Sequence, residues 1–407
     1  MLSLELLPAA HGDALWIEYG DAARPSRVLI DGGPARTYAN GLRRRIARVP
    51  EGERLFELVV VTHIDADHID GPLIFLQELA ALKVRIGELW FNGWDHLPKT
   101  ERDTYAPLQG EFLGGLIALD DDLRGRWNRR FDRKAVVVPD AGRLPEIELD
   151  GGARLTLLGP TPDALRRLRA RWSAAIRDFS PGDVGEAKRR LLERRDYRPP
   201  ATPAVFSSRG YGDDRSPANG SSISMVFEHD GVSLLLAGDA HARTLAATLA
   251  RLAAERGVPR LRFDAIKLPH HGSMGNVNAD WLRLVETPRW LLSTNGDVFD
   301  HPDVAMAELV AAHHRDPVFL CNYRAPSTER LKARANRRWV TRFPGDGVEG
   351  GPAGGLVLQL GKRRSGAAGR RKPAAKTPAA KKSATKRPAA KKPATKKSAA
   401  RRTRKPA

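Results

Sequence analysis

A single cysteine, Cys321, stands among 407 residues. Disulfide pairing within one chain and a cysteine-rich zinc site are both excluded. The thiol reads instead as a small buried apolar residue, in keeping with a cytosolic protein. Long hydrophobic runs are missing too: no stretch nears the ~20 apolar residues that span a bilayer. The first residues, Met1 to Leu7, lack the basic start and apolar core of a signal peptide. Their alternation predicts a first strand. Two common catalytic signatures are also absent. There is no Gly-x-Ser-x-Gly for a nucleophilic serine and no Gly-x-x-x-x-Gly-Lys-Ser/Thr to cradle a phosphate chain.

Acidic residues are missing from one region. Residues 362–407 hold 19 of the 68 Lys and Arg and no Asp or Glu. The net charge of +20 therefore belongs to this tail, since residues 1–361 carry 49 basic and 48 acidic side chains. The tail repeats paired cations, as at Lys381-Lys382 and Lys391-Lys392, between Ala, Pro, Ser and Thr. With no aromatic and no large aliphatic residue it has nothing to build a core from, and it is expected to be disordered. It resembles the lysine-rich tails of linker histones and of bacterial histone-like proteins. Cation pairs on a flexible chain suit sequence-independent neutralisation of nucleic-acid phosphates. The lack of aromatics argues against base stacking. A solubilising tail without a partner is the plainer alternative.

Residues 1–361 read as one α/β domain. Short apolar runs end in polar turns: Val28-Leu29-Ile30 before Asp31, Leu58 to Val61 before His63, and Ser233 to Ala237 before Gly238-Asp239. Phe263 to Leu268 precedes Pro269-His270-His271, and Trp290-Leu291-Leu292 precedes Ser293. Helices are expected over Gly71 to Leu82, Ala240 to Arg256 and Asp303 to His313. Strands alternating with helices, with polar residues gathered at strand ends, imply an α/β fold with a site along one sheet edge. Residues about 163–218 depart from this pattern. They are charged and helical over Leu165 to Tyr197, linker-like at Pro199 to Pro203 and loop-like at Gly210 to Pro217. The stretch reads as an insertion, either a lid or a solvated helical hairpin.

The densest chemistry is His63-Ile64-Asp65-Ala66-Asp67-His68, where an apolar run ends. Imidazole and carboxylate together suit zinc, manganese or iron. Helix capping by Asp70 ahead of Leu73 accounts for one Asp, not for two His and two further Asp. Elsewhere, His96, His313 and His314 read as surface residues, and Asn92 is a candidate for lining the pocket. Lys267 either meets a substrate phosphate or lies in solvent at a sheet edge. Ser273 and Gly272 either offer donors to an anionic substrate or form a plain turn. His301, before Pro302, is a candidate phosphate contact or general acid, or else a helix N-terminal histidine.

Several motifs occur in a telling order: Gly12-Asp13-Ala14, Asp31-Gly32-Gly33, His63-x-Asp65-x-Asp67-His68 and Asn219, then Gly238-Asp239-Ala240, His270-His271-Gly272-Ser273 and His301-Pro302. This series resembles the metallo-β-lactamase superfamily, and within it the soluble domain of the ComEC-type competence DNA-uptake proteins. The likeness spans residues 1 to about 305. It implies a metallo-β-lactamase-type four-layer αβ/βα sandwich and one or two divalent metal ions, zinc or manganese. It also implies roles. His63 and Asp65 would bind a first metal, Asp67, His68 and His271 a second, and Asp239 both. His270 is left to pack or to touch substrate. Asp31 sits too early for a ligand and is expected to orient a ligand His or the following turn. Two positions depart from the usual pattern: Asp65 replaces a His, and Asn219 stands where another His is expected. The first metal is then short of imidazole, and harder ligands favour Mn²⁺ or Mg²⁺ there.

These readings converge on a metal-dependent hydrolase. Two ions about 3.5–4 Å apart can hold both the attacking and the leaving oxygen of a displacement. Asp67 can orient or deprotonate the attacking water besides binding metal, so Asp67 and His301 are the candidate catalytic residues. The favoured reaction is nuclease-like phosphodiester hydrolysis, with nucleic acid held by residues 362–407. Two alternatives stay open. The nearly neutral body suits a small ester, lactone or nucleotide. Degeneracy at Asp65 and Asn219 suits a non-catalytic nucleoid-binding protein. No membrane and no protein partner is indicated, and the expected location is the cytoplasm, at the nucleoid through the tail.

Overall fold

The apolar runs assemble into two large sheets, beside a two-stranded one of Leu261–Arg262 and Val285–Glu286, in the computed structural model, which describes residues 1–98, 108–173, 183, 185–187, 189 and 212–361. The first sheet runs Glu349–Gly350, Leu356–Leu360, Leu2–Leu6, Leu15–Gly20, Pro25–Ile30, Leu55–Val60 and Arg85–Trp90. The second runs Val340–Arg342, Val318–Cys321, Arg289–Leu292, Ala265–Lys267, Val232–Leu236, Ser224–His229, Arg154–Gly159 and Glu146–Glu148.

Side-chain alternation decides the layers. Leu2, Leu4 and Leu6, with Leu15, Ile17 and Tyr19, share a core with Leu155, Leu157, Met225 and Phe227 of the second sheet. The opposite-facing Trp16 and Leu29 join a separate core with Ile69 and Leu73 of helix Ala66–Gln77 and Phe112 of helix Leu108–Leu119. In the second sheet, strand Val232–Leu236 buries Leu234, Leu235 and Leu236 alike. Leu245 and Leu249 of helix Ala242–Arg256 and Met306 and Val310 of helix Val304–His313 belong to the same core. A strand covered on both faces reads as continuously apolar, as these do. The order is helix, sheet, sheet, helix: a four-layer αβ/βα sandwich.

Parallel strands point the polar turns the same way. Pro25–Ile30, Leu55–Val60 and Arg85–Trp90 are parallel. So are Val232–Leu236, Ala265–Lys267, Arg289–Leu292 and Val318–Cys321. Asp31, His63, Asp239, His271 and Ser293 all follow the carboxyl ends of these strands, where open α/β sheets build their sites.

One expected helix is misplaced. Instead of Gly71 to Leu82, a helix runs Ala66–Gln77, and a short one Leu79–Leu82 follows. Asp70 lies buried inside the helix and is not its cap; Asp65 takes the N-cap position without a side-chain capping bond. Pro72 explains the misreading. Proline favours a first helical turn, but here it lies well inside the helix. It has no N–H to give the His68 carbonyl four residues back. That carbonyl accepts the Gly32 N–H at 3.2 Å instead, while the Gly71 N–H goes to the Gly33 carbonyl at 2.8 Å. The turn Asp31-Gly32-Gly33 is thus stitched to the helix that carries His68. The approach is close: a Cβ on Gly71 would lie 2.1 Å from the Gly32 oxygen.

The other two expected helices begin at Ala242 and Val304, two residues and one residue late. Helix Pro162–Ser173 covers the start of the charged stretch read as an insertion. Most of the rest, including Pro199 to Pro203, lies outside the described residues, as do residues 362–407 and their expected disorder. Cys321 is buried in its strand, and burial pushes its thiol pKa up. Among the described residues no helix is long and apolar enough to cross a membrane.

Candidate metal centre

Turns from both sheets bring four imidazoles and three carboxylates together. Asp239 Oδ2 lies 3.4 Å from His68 Nε2, 3.8 Å from His63 Nε2, 3.8 Å from His271 Nε2 and 3.9 Å from His270 Nε2. Asp67 Oδ2 lies 3.3 Å from His271 Nε2 and 3.7 Å from His68 Nε2. Asp65 Oδ2 is 3.7 Å from His63 Nε2. Two sets are tight enough to hold an ion: His63, His68 and Asp239, and Asp67, His68 and His271.

The far side of each ring is anchored. His68 Nδ1 meets Asp31 Oδ2 at 2.9 Å. Asp31 is itself held at φ 58° and accepts the Thr62 N–H at 2.8 Å and the Thr62 hydroxyl at 2.7 Å. His271 Nδ1 meets the Ser293 carbonyl at 2.9 Å. His63 Nδ1 lies 2.9 Å from Thr62 Oγ1 and 3.3 Å from Ser222 Oγ, and Ser222 Oγ accepts the Asp239 N–H at 3.1 Å. By contrast, Nε2 of His63, His68 and His271 is buried with no hydrogen-bond partner among the described residues, and so is Asp239 Oδ1. A buried polar atom left unpaired costs about 1–3 kcal/mol. An Nδ1–H committed to oxygen leaves the lone pair on Nε2, which is the tautomer a metal needs. The donor set therefore fits one or two divalent ions.

Charge in the cage is balanced by protons. Burial pulls His68 and His271 down, but carboxylates prevail. Asp239, Asp67 and Asp31 hold His68 well above the ordinary imidazole value, and Asp239 and Asp13 hold His271 at about 9. Burial likewise raises Asp67 and Asp239, and the neighbouring imidazoles overcome it, leaving both below the usual carboxylate range. A cation entering the cage displaces these protons.

The remaining candidates divide. His270 Nδ1 meets Asn276 Oδ1 at 2.9 Å and lies 3.7 Å from Asp214 Oδ2. Asn219 stands beside it, and its amide donates to Asp214 at 2.8 Å. His301 is buried next to His270, with ring centres 5.3 Å apart and its Nδ1 3.5 Å from Asp303 Oδ1. Ser273 accepts the Gly275 N–H at 3.3 Å, as a plain turn would have it. Lys267 overturns both of its readings. It is fully buried, neither on a pocket wall nor in solvent, and donates to Asp13 Oδ2 at 2.8 Å and the Leu268 carbonyl at 3.0 Å.

Asn92 does not line the centre, because its amide exchanges two 2.8 Å bonds with the Val136 backbone. His96 and His314 are half-buried packing residues, not surface ones, against Trp127 and Trp290. Burial takes both down to about 4. His313 is half-buried too, bonded to the Leu309 carbonyl.

Sequence reasoning passed over Asp13 as a working residue, along with Thr62, Ser222, Asp214, Asn276 and His11. Burial holds His11 at about 4 despite nearby Asp67, and it meets Arg36 at 3.2 Å. Asp13 was visible in Gly12-Asp13-Ala14, but its partner Lys267 lies 254 residues away.

No protein-family model matches this chain, and no curated protein does. Among solved structures it is similar to the metallo-β-lactamase fold protein YhfI from Bacillus subtilis, at 8% identity and a TM-score of 0.38, over 88% of this chain and 98% of that one. It is also similar to CmlA, a diiron β-hydroxylase from Streptomyces venezuelae, at 12% identity and a TM-score of 0.36, over 88% of this chain and 54% of that one. Values this low assign the chain neither a family nor an activity.

Proposed function

We propose that this protein is a metal-dependent hydrolase of phosphodiesters, of the competence-domain type, with residues 362–407 supplying affinity for nucleic acid. One observation carries the hydrolase: three buried Nε2 atoms with no hydrogen-bond partner among the described residues converge on two carboxylates while each opposite nitrogen is anchored. His63, Asp65 and Asp239 would hold one ion and Asp67, His68 and His271 a second, with Asp239 reaching both. Such ions supply Lewis acidity and water that ionises near neutral pH. The oxygen-rich His63 half favours Mn²⁺ over Zn²⁺.

The chain's own residues do the rest. Asp31, Thr62 and Ser293 decide which ring nitrogen is bare. Asp67 orients the attacking water or takes its proton. The His270 ring is 19% exposed, where those of His63, His68 and His271 are 0–1% exposed, so it borders the side from which substrate arrives. His301 stands behind it as the contact for a leaving oxygen.

One observation favours the second reading, a small ester, lactone or nucleotide as substrate. Lys267 is neutralised by Asp13 inside the fold and lends no charge to a groove. An open basic cleft of about 540 Å³, with Arg260, Arg262 and Arg315 beside Glu286, lies at the amino ends of the same strands, away from the centre.

The full chain, loaded with Mn²⁺ or Zn²⁺, is assayed on single- and double-stranded DNA, RNA and small aryl esters and phosphodiesters. Nucleic-acid cleavage that Asp67→Ala abolishes is the expected result. Turnover of small esters alone favours the second reading. No turnover with either metal, wild type and variant alike, refutes a hydrolase. A chain ending at Gly361 is expected to bind DNA more weakly and with a shallower salt dependence. Equal affinity removes the tail's role.

A further inference from the structure

Among the largest fully buried side chains described, otherwise all aromatic, is Lys267. Its strand neighbours are Leu236 and Leu291, so the stem crosses an apolar layer. An ammonium in such a place costs several kcal/mol unless it is paired. The pair lies on the other sheet's side. Asp13 belongs to the loop between Leu2–Leu6 and Leu15–Gly20, is 1% exposed, and takes the Lys267 Nζ on Oδ2.

The same loop touches two of the protein ligands proposed for one ion, Asp67 and His271. Asp13 Oδ1 has no hydrogen-bond partner among the described residues and faces His271 Nδ1 at 3.5 Å. One residue earlier, a Cβ on Gly12 would lie 1.9 Å from the Asp67 carbonyl oxygen, and the Gly12 carbonyl accepts the Ser293 hydroxyl at 2.9 Å. Ser293 is also the residue whose carbonyl holds His271 Nδ1. The loop therefore sits as a wedge between the helix turn that carries Asp67 and the turn that carries His271. His271 needs such support: its backbone is left-handed at φ 54°, between His270 at 45° and Gly272 at 87°. Non-glycine residues stay in that region only where their surroundings hold them.

We propose that Lys267 and Asp13 form a cross-sheet brace that positions His271 against Asp67, so that a lysine touching no metal sets the affinity of one half of the centre. The inference rests on the metal reading above. A purely structural pair predicts something different, because apolar replacement of a buried ion pair is often neutral or stabilising.

The test compares wild type, Lys267→Met, Asp13→Asn and the double variant, full-length throughout. Co²⁺ binding is followed by calorimetry and by the visible spectrum of the bound ion, and metal-free stability by thermal unfolding. The brace predicts that one Co²⁺ binding step weakens about 10–100-fold, the usual effect of losing an outer support. The spectrum of that ion alone changes, and the other step is unaffected. If wild type takes a single ion, that ion should weaken.

Should Lys267→Met fail to fold, Asp13→Asn carries the same readout. Wild-type affinities and spectra in the folded variants overturn the brace. So does equal weakening of both steps, which marks a general loosening of the fold. Wild type binding no Co²⁺ would instead defeat the metal reading itself.

Discussion

Replacing Asp31 with asparagine keeps the side chain's shape and turns one acceptor into a donor. Asp31 is 1% exposed and serves three groups: the Thr62 N–H on Oδ1, and the Thr62 hydroxyl and His68 Nδ1 on Oδ2. If the new amide keeps its oxygen on the Thr62 N–H, its NH₂ faces His68. In the neutral ring that binds metal, Nδ1 must then accept, and the one ring proton sits on Nε2, the atom aimed at Asp239. If the amide flips, its NH₂ abuts the Thr62 N–H, and an unpaired buried donor costs about 1–3 kcal/mol. Against a typical stability of about 5–15 kcal/mol, either outcome leaves the protein folded. Metal binding suffers more in proportion, by about 10–100-fold. Urea unfolding of chelator-treated protein should show the modest loss, and calorimetric titration with Mn²⁺ or Zn²⁺ the larger one. A folded Asp31→Asn protein with wild-type metal affinity would refute the argument that Asp31 decides which nitrogen is bare.

Other outcomes follow from the same geometry. His68 and His271 are raised above the unfolded imidazole value of 6.5, His271 to about 9. Their stabilisation of the metal-free fold is complete below pH 6.5 and is lost as pH climbs through each raised value; for His271 that is about 9, a change on the order of 3 kcal/mol at most. Metal affinity should rise over the same interval as protons leave. Thermal unfolding with and without Mn²⁺ at the two ends reads both trends, and a flat metal-free profile would count against the charged cage. Gly71→Ala would gain about 1 kcal/mol in an open helix. Here its methyl meets the Gly32 oxygen, so urea denaturation should show a loss of about 1–3 kcal/mol; a stabilised variant contradicts the stitch between turn and helix. Asn92→Ala strands a buried N–H and C=O of Val136, costing about 2–4 kcal/mol. It should leave metal affinity unchanged, and a parallel loss of metal would return Asn92 to the centre.

What the chain shows without coordinates is what neighbouring residues decide among themselves. Val28 to Ile30, Leu58 to Val60, Leu234 to Leu236 and Trp290 to Leu292 form the expected strands, since covered strands are apolar throughout. The hexapeptide from His63 to His68 stands out because its side chains are close in sequence as well as in space. The helix start at Ala66 was hidden. Pro72 looks like a beginning, and the group that replaces its missing N–H, Gly32, belongs to another turn. Lys267 was misjudged for the same reason: a lysine's burial depends on its partner, and Asp13 is remote in sequence. Asn92 points to Val136, likewise beyond any local pattern.

The strained residues show how the centre is built. Asp31, His270 and His271 are non-glycine residues at φ 58°, 45° and 54°, a conformation that costs about 1–3 kcal/mol each. Each lies where a turn must double back to aim a side chain at Asp239 or at a ligand's ring. The bonds that compensate come from both sheets. Thr62 secures Asp31 from the first, Ser293 secures His271 from the second, and Asn276 secures His270. These anchors are hydroxyl, carbonyl and amide groups, whereas the ion-holding sets are imidazoles and carboxylates. The two cores likewise draw on leucines, valines and aromatics remote from the ligands. Ligand placement is therefore settled by protein–protein bonds before an ion arrives. In the proposed hydrolase, binding energy would then go to holding and polarising substrate, not to ordering the chain.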